Sequence, residues 1–264
     1  VNLIKNIQTE QQEDVFMTFR PMQDRQNRRH NADDLMNIQA EQNQGTAKAG
    51  LPVHETVYRS LRDMILFGEL EPGQPVTIQG LTEHLDAGMT PVREALRRLT
   101  AAGALEFMGN RRIIVPVLNR SAIDQLKTAR LALEPELAGR ATALIKDEDI
   151  VAMKQADDRL DRAIARGDVH GYLVENYLFH SHLNAAAQAP ILQGMVEGLW
   201  LRFGPSMRVV CGVMGTSSLP DLHKDLINAL ESGDAAAASK AMAEDVKQGM
   251  DQMLAGISDS IDTE

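Results

Sequence analysis

From Pro52 onward the apolar residues fall into a helical rhythm, with Val57, Leu61, Met64 and Ile65 on one face and a stop at Gly68. Glu71-Pro72-Gly73-Gln74 predicts a turn, and Thr77 is placed to cap a second short helix carrying Ile78, Leu81 and Leu85. Asp86-Ala87-Gly88-Met89 predicts the turn into a third helix, Thr90 to Gly103. There Val92, Leu96 and Leu99 make an apolar stripe, with Ala95 beside it, while Thr90, Arg93 and Arg97 line another face. Thr90 is the expected cap of this helix, Pro91 suits a first turn, and Gly103 is expected to end it in a left-handed conformation. Beyond Gly103 the period drops to two: Leu105 and Phe107 alternate with polar residues, Gly109-Asn110 signals a hairpin, and Ile113, Val115 and Val117 alternate on the return. Three short helices followed by a hairpin tipped with Asn110, Arg111 and Arg112 predict a winged helix-turn-helix over residues 51–118.

From Ser121 the pattern is helical almost throughout, with loops expected at Asp147-Glu148-Asp149, Gly167-Asp168, Pro190, the stretch 215–220 and Gly233-Asp234. Strand signals are absent, so six or seven helices in an antiparallel bundle are expected over residues 119–258. The fold class is therefore mainly α. Residues 1–50 are rich in Gln, Asn, Asp and Arg and carry little apolar periodicity. That composition cannot repay the entropy of folding and predicts a disordered polar tail.

The net charge of -10 would argue against a nucleic-acid partner if it were evenly spread, and it is not. Residues 51–120 hold eight Lys/Arg against eight Asp/Glu, whereas residues 121–264 hold thirteen against twenty-two. Within Thr90 to Arg112 the bases Arg93, Arg97, Arg98, Arg111 and Arg112 face only Glu94 and Glu106. Local charge decides where phosphate docks, so the third helix and the wing tip are the expected contacts with double-stranded DNA. No apolar run approaches the roughly 18 residues that cross a bilayer, and no secretory signal opens the chain, so no membrane association and a cytoplasmic location are expected. Cys211 is the single cysteine, which excludes an internal disulfide framework and a multi-thiolate zinc site. Its apolar neighbours predict a buried, unreactive thiol.

Several polar residues stand in otherwise apolar helical stripes. Asn176 and His180 share a face with Leu173 and Leu183. His223 lies in line with Leu219, Leu226 and Leu230, and Asp245 lies at the inner edge of a stripe with Met242 and Gly249. Buried polar groups need partners. Asn176, His180, His223 and Asp245 could complete one another by holding a divalent cation such as Zn, Mn or Ni. His182 has the wrong helical phase for this cluster.

Phe67-Gly-Glu-Leu-Glu-Pro-Gly-Gln74, Thr90-Pro-Val-Arg-Glu-Ala-Leu96 and Ala102-Gly-Ala-Leu105 resemble the amino-terminal domain of the GntR family of bacterial transcription regulators. That resemblance implies a homodimer that binds a short palindromic operator through Thr90, Arg93 and Arg97 in the major groove and Asn110 with Arg111 at the wing; Arg112 is a further expected DNA contact from its charge at the wing tip. Gly88-Met89 stands where the family usually has Ser-Arg, and Arg112 where it usually has glycine, which implies an altered operator preference. The helical half, through Arg130 to Glu134, Asn176 to His180 and His223 to Asp234, resembles the FadR-type ligand-binding domain called FCD. The resemblance implies a metal held by Asn176, His180, His223 and Asp245, with Asp245 where the commoner residue is His. It also implies a small carboxylate effector gripped by Arg130. Arg202 and Arg208 are further candidates for that grip, and an ion pair with Glu134 is the competing role for Arg130. A metal-dependent hydrolase built on the same four residues is the rival reading, and it leaves the winged-helix signature without a use.

Overall fold

The computed structural model describes residues 51–109, 112–214 and 222–261. The expected polar tail, the wing-tip residues Asn110 and Arg111, and the loop at 215–220 lie outside the described residues.

Helix α1, Val53–Leu66, buries Val57, Leu61, Met64 and Ile65 as their spacing predicts, together with Leu66. Gly68 then turns the chain at φ 66°, a conformation that suits a residue without a Cβ. The next segment is not only a turn. Pro75–Val76 forms β1, because Gln74 and Val115 exchange backbone contact (Val115 N–H to Gln74 O, 3.1 Å) and Val76 turns inward. Helix α2, Ile78–Leu85, is capped as expected, the Thr77 hydroxyl accepting from Gly80 N–H at 3.1 Å.

Helix α3 spans Met89–Ala101 and buries Val92, Ala95, Leu96 and Leu99. Its start corrects the expected cap. Asp86 turns the chain at φ 47° and leaves Gly88 extended as the cap, so the helix begins two residues earlier than a Thr90 cap would start it. Thr90 sits inside the first turn, and no side chain caps the end. Gly103 follows at φ 74°, as expected. Strands β2 (Glu106–Met108) and β3 (Arg112–Ile114) form the wing, with Phe107 opposite Ile113, and β1 adds to the outer side of β3 in the order β1-β3-β2. Arg98 belongs to the scaffold of this domain: its guanidinium lies 3.4 Å over the Tyr58 ring and pairs with Glu55 at 2.9 Å, locking α3 onto α1.

Among the described residues six helices follow, within the expected number: α4 (Arg120–Thr142), α5 (Asp147–Arg166), α6 (Val169–Ala186), α7 (Pro190–Met214), α8 (Leu222–Glu231) and α9 (Ala235–Ile261). Asp147-Glu148-Asp149, expected as a loop, is instead the first turn of α5, where carboxylates favour the positive end of the helix dipole and Asp149 accepts from Lys146 N–H at 3.1 Å. Asp168 caps α6 through Gly171 N–H at 2.9 Å. Pro190 opens α7, a position where its missing N–H costs nothing. Helix α6 is buried on nearly every side, so it is the axis around which the others pack. Among the described residues no helix is long and apolar enough to cross a membrane.

Leu99 is fully buried between α3 and its neighbours. Leu99→Ala is expected to cost about 2–5 kcal/mol, read as a lower urea midpoint with an unchanged slope.

Candidate functional site

The outer face of α3 presents Thr90, Arg93 and Arg97 to solvent, and Arg112 is exposed on β3. Arg97 pairs with Glu94 at 2.7 Å while its side chain remains 71% exposed. Such a pair is weak and can be exchanged for a phosphate. Met89, at the first position of the helix, is exposed as well. Of the expected DNA-facing residues, Asn110 and Arg111 are the two outside the described range.

The second site has two buried histidines and a half-buried aspartate. His180 on α6, His223 on α8 and Asp245 on α9 bring ligand atoms within 4.8 Å of one another. His180 Nε2 lies 3.3 Å from one Asp245 carboxylate oxygen, and His223 Nε2 lies 3.9 Å from the other. Behind each imidazole stands a second carboxylate. His223 Nδ1 meets Asp157 Oδ1 of α5 at 2.9 Å, and His180 Nδ1 faces Glu134 Oε2 of α4 at 3.7 Å. Both rings therefore turn Nε2 toward Asp245 and Nδ1 toward an acid. Phe179 stacks on His223 with ring centroids 3.8 Å apart, which fixes the plane of that imidazole. Burial pushes the Asp245 carboxyl up, but the hydrogen bond and charge of His180 and the charges of His223 and Arg130 outweigh it and hold it at about 2. Asn176 is buried one turn ahead of His180 on α6, and His182 is only half-buried. Asp157 was not among the residues expected from the sequence. Its signal is an acid in phase with the apolar stripe Met153, Ala156, Leu160 and Ala163.

Arg130 forms the ion pair that competed with effector binding. Its Nε and Nη2 meet the two Glu134 oxygens at 2.5 and 3.2 Å, and the guanidinium lies 4.3 Å from the Phe203 ring and 4.9 Å from that of Trp200. Its Nη1 meets only the Met250 sulfur, at 3.4 Å. Arg202 and Arg208 do not reach this cluster. Arg202 Nε donates to Ala102 O at 3.2 Å, and its guanidinium covers Gly103, where a Cβ would come within 2.6 Å of it. Arg208 packs on Gly68. Both belong to the seam between α7 and the winged part, which lie within one unit, Leu51–Glu264. Cys211 is half-buried, and burial raises its thiol to about 11, so it is inert at neutral pH.

Beside His180 a groove opens between α6 and α7. Tyr177, Ser181 and Asn184 line one wall and Gln193, Val196, Glu197 and Trp200 the other. Tyr177 meets Trp200 edge to face at 5.5 Å and, on its other side, Phe67 of the winged part at 5.8 Å. One turn beyond Trp200, Gly204 lies so close to α1 that a Cβ would stand 2.4 Å from Leu66 O.

Residues 53–115 match the profile of the bacterial regulatory proteins of the gntR family, and residues 125–248 match the FCD domain. The HTH-type transcriptional regulator McbR of Escherichia coli (strain K12) is 27% identical over 197 residues, spanning 74% of this chain and 89% of that protein. A probable D-xylose utilization operon transcriptional repressor of Paenarthrobacter nicotinovorans is 28% identical over 197 residues, spanning 71% of this chain and 84% of the relative. The solved structure of E. coli McbR/YncC superposes with a TM-score of 0.72 at 26% identity, covering 77% of this chain and 97% of that one. A putative transcriptional regulator GntR from Rhodococcus sp. RHA1, 22% identical, shares the fold at a TM-score of 0.64 over 76% of this chain and 97% of its own. Both domains and these relatives are transcription regulators rather than enzymes, and the hydrolase reading falls with them.

The Leu66 carbonyl in front of Gly204 belongs to backbone and cannot swing aside. Gly204→Ala is expected to pry α1 from α7 and lower stability by about 1–3 kcal/mol, checked by thermal unfolding together with the rate of proteolysis between the two parts.

Proposed function

We propose that this chain, which belongs to the GntR family of bacterial regulatory proteins and is a DNA-binding transcription regulator with an FCD domain, binds a palindromic operator as a homodimer and senses a small carboxylate metabolite through a divalent cation. The observation that carries the sensor reading is the convergence of His180, His223 and Asp245 with a carboxylate behind each imidazole. Metal-binding histidines commonly pass their second N–H to such a carboxylate, which fixes the tautomer and the ring orientation. The charges favour the same reading. With both imidazoles neutral, Glu134, Asp157 and Asp245 carry three negative charges against the one positive charge of Arg130, and a divalent cation would balance them.

The donor set of two imidazoles and one carboxylate suits Zn, Mn or Ni, with Asn176 as the fourth candidate ligand. When bound, the cation supplies open coordination positions for a carboxylate or hydroxyl oxygen. Asp157 would hold the His223 imidazole in register through its 2.9 Å contact, while Glu134, 3.7 Å from His180 Nδ1, would add a negative charge beside the second imidazole. Arg130, two of whose nitrogens are committed to Glu134, keeps Nη1 for an incoming anion, since a thioether is a weak acceptor. On the DNA side, Thr90, Arg93 and Arg97 would enter the major groove while Arg112, with Asn110 and Arg111, would meet the wing-side backbone. A palindrome fixes the spacing of two recognition helices, so an effector that moves α7 against α1 would change operator affinity.

Arg93→Ala and Arg97→Ala are each expected to weaken binding to an operator selected from a random library by about 1–3 kcal/mol if they read bases. Loss of a phosphate contact instead flattens the salt dependence by about one unit of slope. Fluorescence anisotropy at several salt concentrations distinguishes the two, and a double variant that binds like the parent refutes the reading.

Purified protein is expected to carry a divalent metal by elemental analysis and to lose it in His180→Ala and Asp245→Ala. Asp157→Asn is expected to keep the fold and weaken metal affinity about 10- to 100-fold, measured by calorimetric titration of the chelated protein.

A further inference from the structure

Helix α3 leaves one large apolar side chain in the open. Met89, its first residue, is 58% exposed, whereas Val92, Leu96 and Leu99 of the same helix are each 3% exposed or less. A single exposed apolar residue needs no explanation by itself. The company that Met89 keeps gives it one. At 3.6 residues per turn, Met89, Thr90, Arg93 and Arg97 fall within about 100° of the circumference of α3, and all four are exposed. Met89 stands at the amino-terminal end of that face. Gly88 before it brings no side chain to cover it, and no side chain caps this end of the helix. In a helix-turn-helix the amino-terminal end of the recognition helix is the part that comes against base edges.

The chemistry of the side chain limits what it can meet there. A methionine carries no charge and has no N–H or O–H to donate, and its thioether is a weak acceptor. It can therefore neither anchor a phosphate nor bond the N7 and O6 acceptors of guanine, and set against either it would strip water from a polar group without replacing it. Adenine and cytosine present N–H donors in the major groove, which a thioether satisfies poorly. Thymine presents a methyl group. Packing that methyl against Met89 sacrifices no hydrogen bond and removes apolar surface from water on both partners.

We infer that Met89 is a specificity-determining residue of the DNA-binding domain, reading a thymine methyl in each half of the operator. The inference rests on the reading of the outer face of α3 as the face that enters the major groove. On that face the labour is divided: Arg93, Arg97 and Thr90 supply charge and hydrogen bonds, and Met89 supplies discrimination through an uncharged contact. Such a contact releases no counterions, so its contribution does not vary with salt.

Operators are selected from a random duplex library with the full chain and, in parallel, with Met89→Ala and Met89→Arg. The parent is expected to select sites with a thymine at one position of each half-site that Met89→Ala no longer prefers. Met89→Arg is expected to turn that position to guanine, because a guanidinium bonds O6 and N7. Replacing this thymine by deoxyuridine in one half-site removes the methyl and nothing else. The replacement is expected to weaken the parent about fourfold, the worth of one buried methyl group, by the same factor at every salt concentration, and to leave Met89→Ala unchanged. Thermal unfolding of both Met89 variants is expected to match the parent, since the side chain is exposed. Selected sites that are the same for the parent and Met89→Ala, or a deoxyuridine penalty equally large in the two, overturn the inference. The double variant Arg93→Ala, Arg97→Ala tells that failure from failure of the reading beneath it. If it binds weakly while the parent shows no deoxyuridine penalty, α3 enters the groove and Met89 does not read it. If it binds like the parent, the DNA face lies elsewhere and the inference falls with it.

Discussion

The helical half depends on one electrostatic constraint, the enclosure of two buried carboxylates, a half-buried third, two imidazoles and a guanidinium in a single core. Arg130 and Glu134 on α4, His180 on α6, Asp245 on α9, His223 on α8 and Asp157 on α5 form one chain of polar contacts that crosses five helices. Isolated, any of these charges would cost several kcal/mol to bury. Each is tolerable because the next stands beside it, so the packing of the helices and the geometry of the cluster are the same fact. Asp245 shows the balance: burial opposes its ionisation, and the surrounding imidazoles and Arg130 reverse that by a wide margin. Aromatic faces complete the enclosure, with Phe179 stacked on His223 and Phe203 and Trp200 lying against Arg130. A stack of that kind holds a ring at a set angle without adding another polar group that would itself need a partner.

Most of the architecture was legible because periodicity reports which face of an element is buried. The stripes on α1 and α3, the Thr77 cap, the left-handed Gly103 and the wing all follow from spacing alone. Periodicity does not report what a buried face meets. Arg97 and Arg98 are neighbours in one basic run, yet one is exposed and the other is laid across Tyr58 and paired with Glu55 from a different helix. Arg202 and Arg208 share an apolar helix with Trp200, but their phase carries them to the winged part rather than to the cluster. Asp157 was hidden by its company: with Asp158 and Asp161 close by, it reads as part of a solvated acidic face. Only its step of four from Met153 places it in the core. The two-residue β1 was too short for any alternation to announce it.

The DNA face and the sensor differ in how firmly their side chains are held. Arg93 and Arg97 stand on a helix packed against its domain but reach into solvent, and the exposed Arg97–Glu94 pair is one that costs little to exchange. Met89 sits on the same exposed end, where a charged residue is usual in the family. It offers an apolar surface there in place of a charge. The acidity of the chain is concentrated past residue 120, away from this surface in sequence, so the overall negative charge does not cancel the local positive one.

What joins the two halves is α7. Val196 and Trp200 line the groove, and further along the same helix Arg202, Gly204 and Arg208 meet the winged part. Gly204 meets the last carbonyl of α1 with no side chain between them, and Arg202 reaches the carbonyl of Ala102 at the end of α3. Contacts of this kind leave little slack, because close-packed surfaces shift between discrete arrangements rather than deform by degrees. Pro205, directly after Gly204, lacks the N–H that would tie this turn to the one before it. The helix is therefore least braced from within where it carries the tightest contact between the halves. Trp200 is thus linked to α1 by two short paths: through the Tyr177 ring to Phe67, and along the α7 backbone to Gly204.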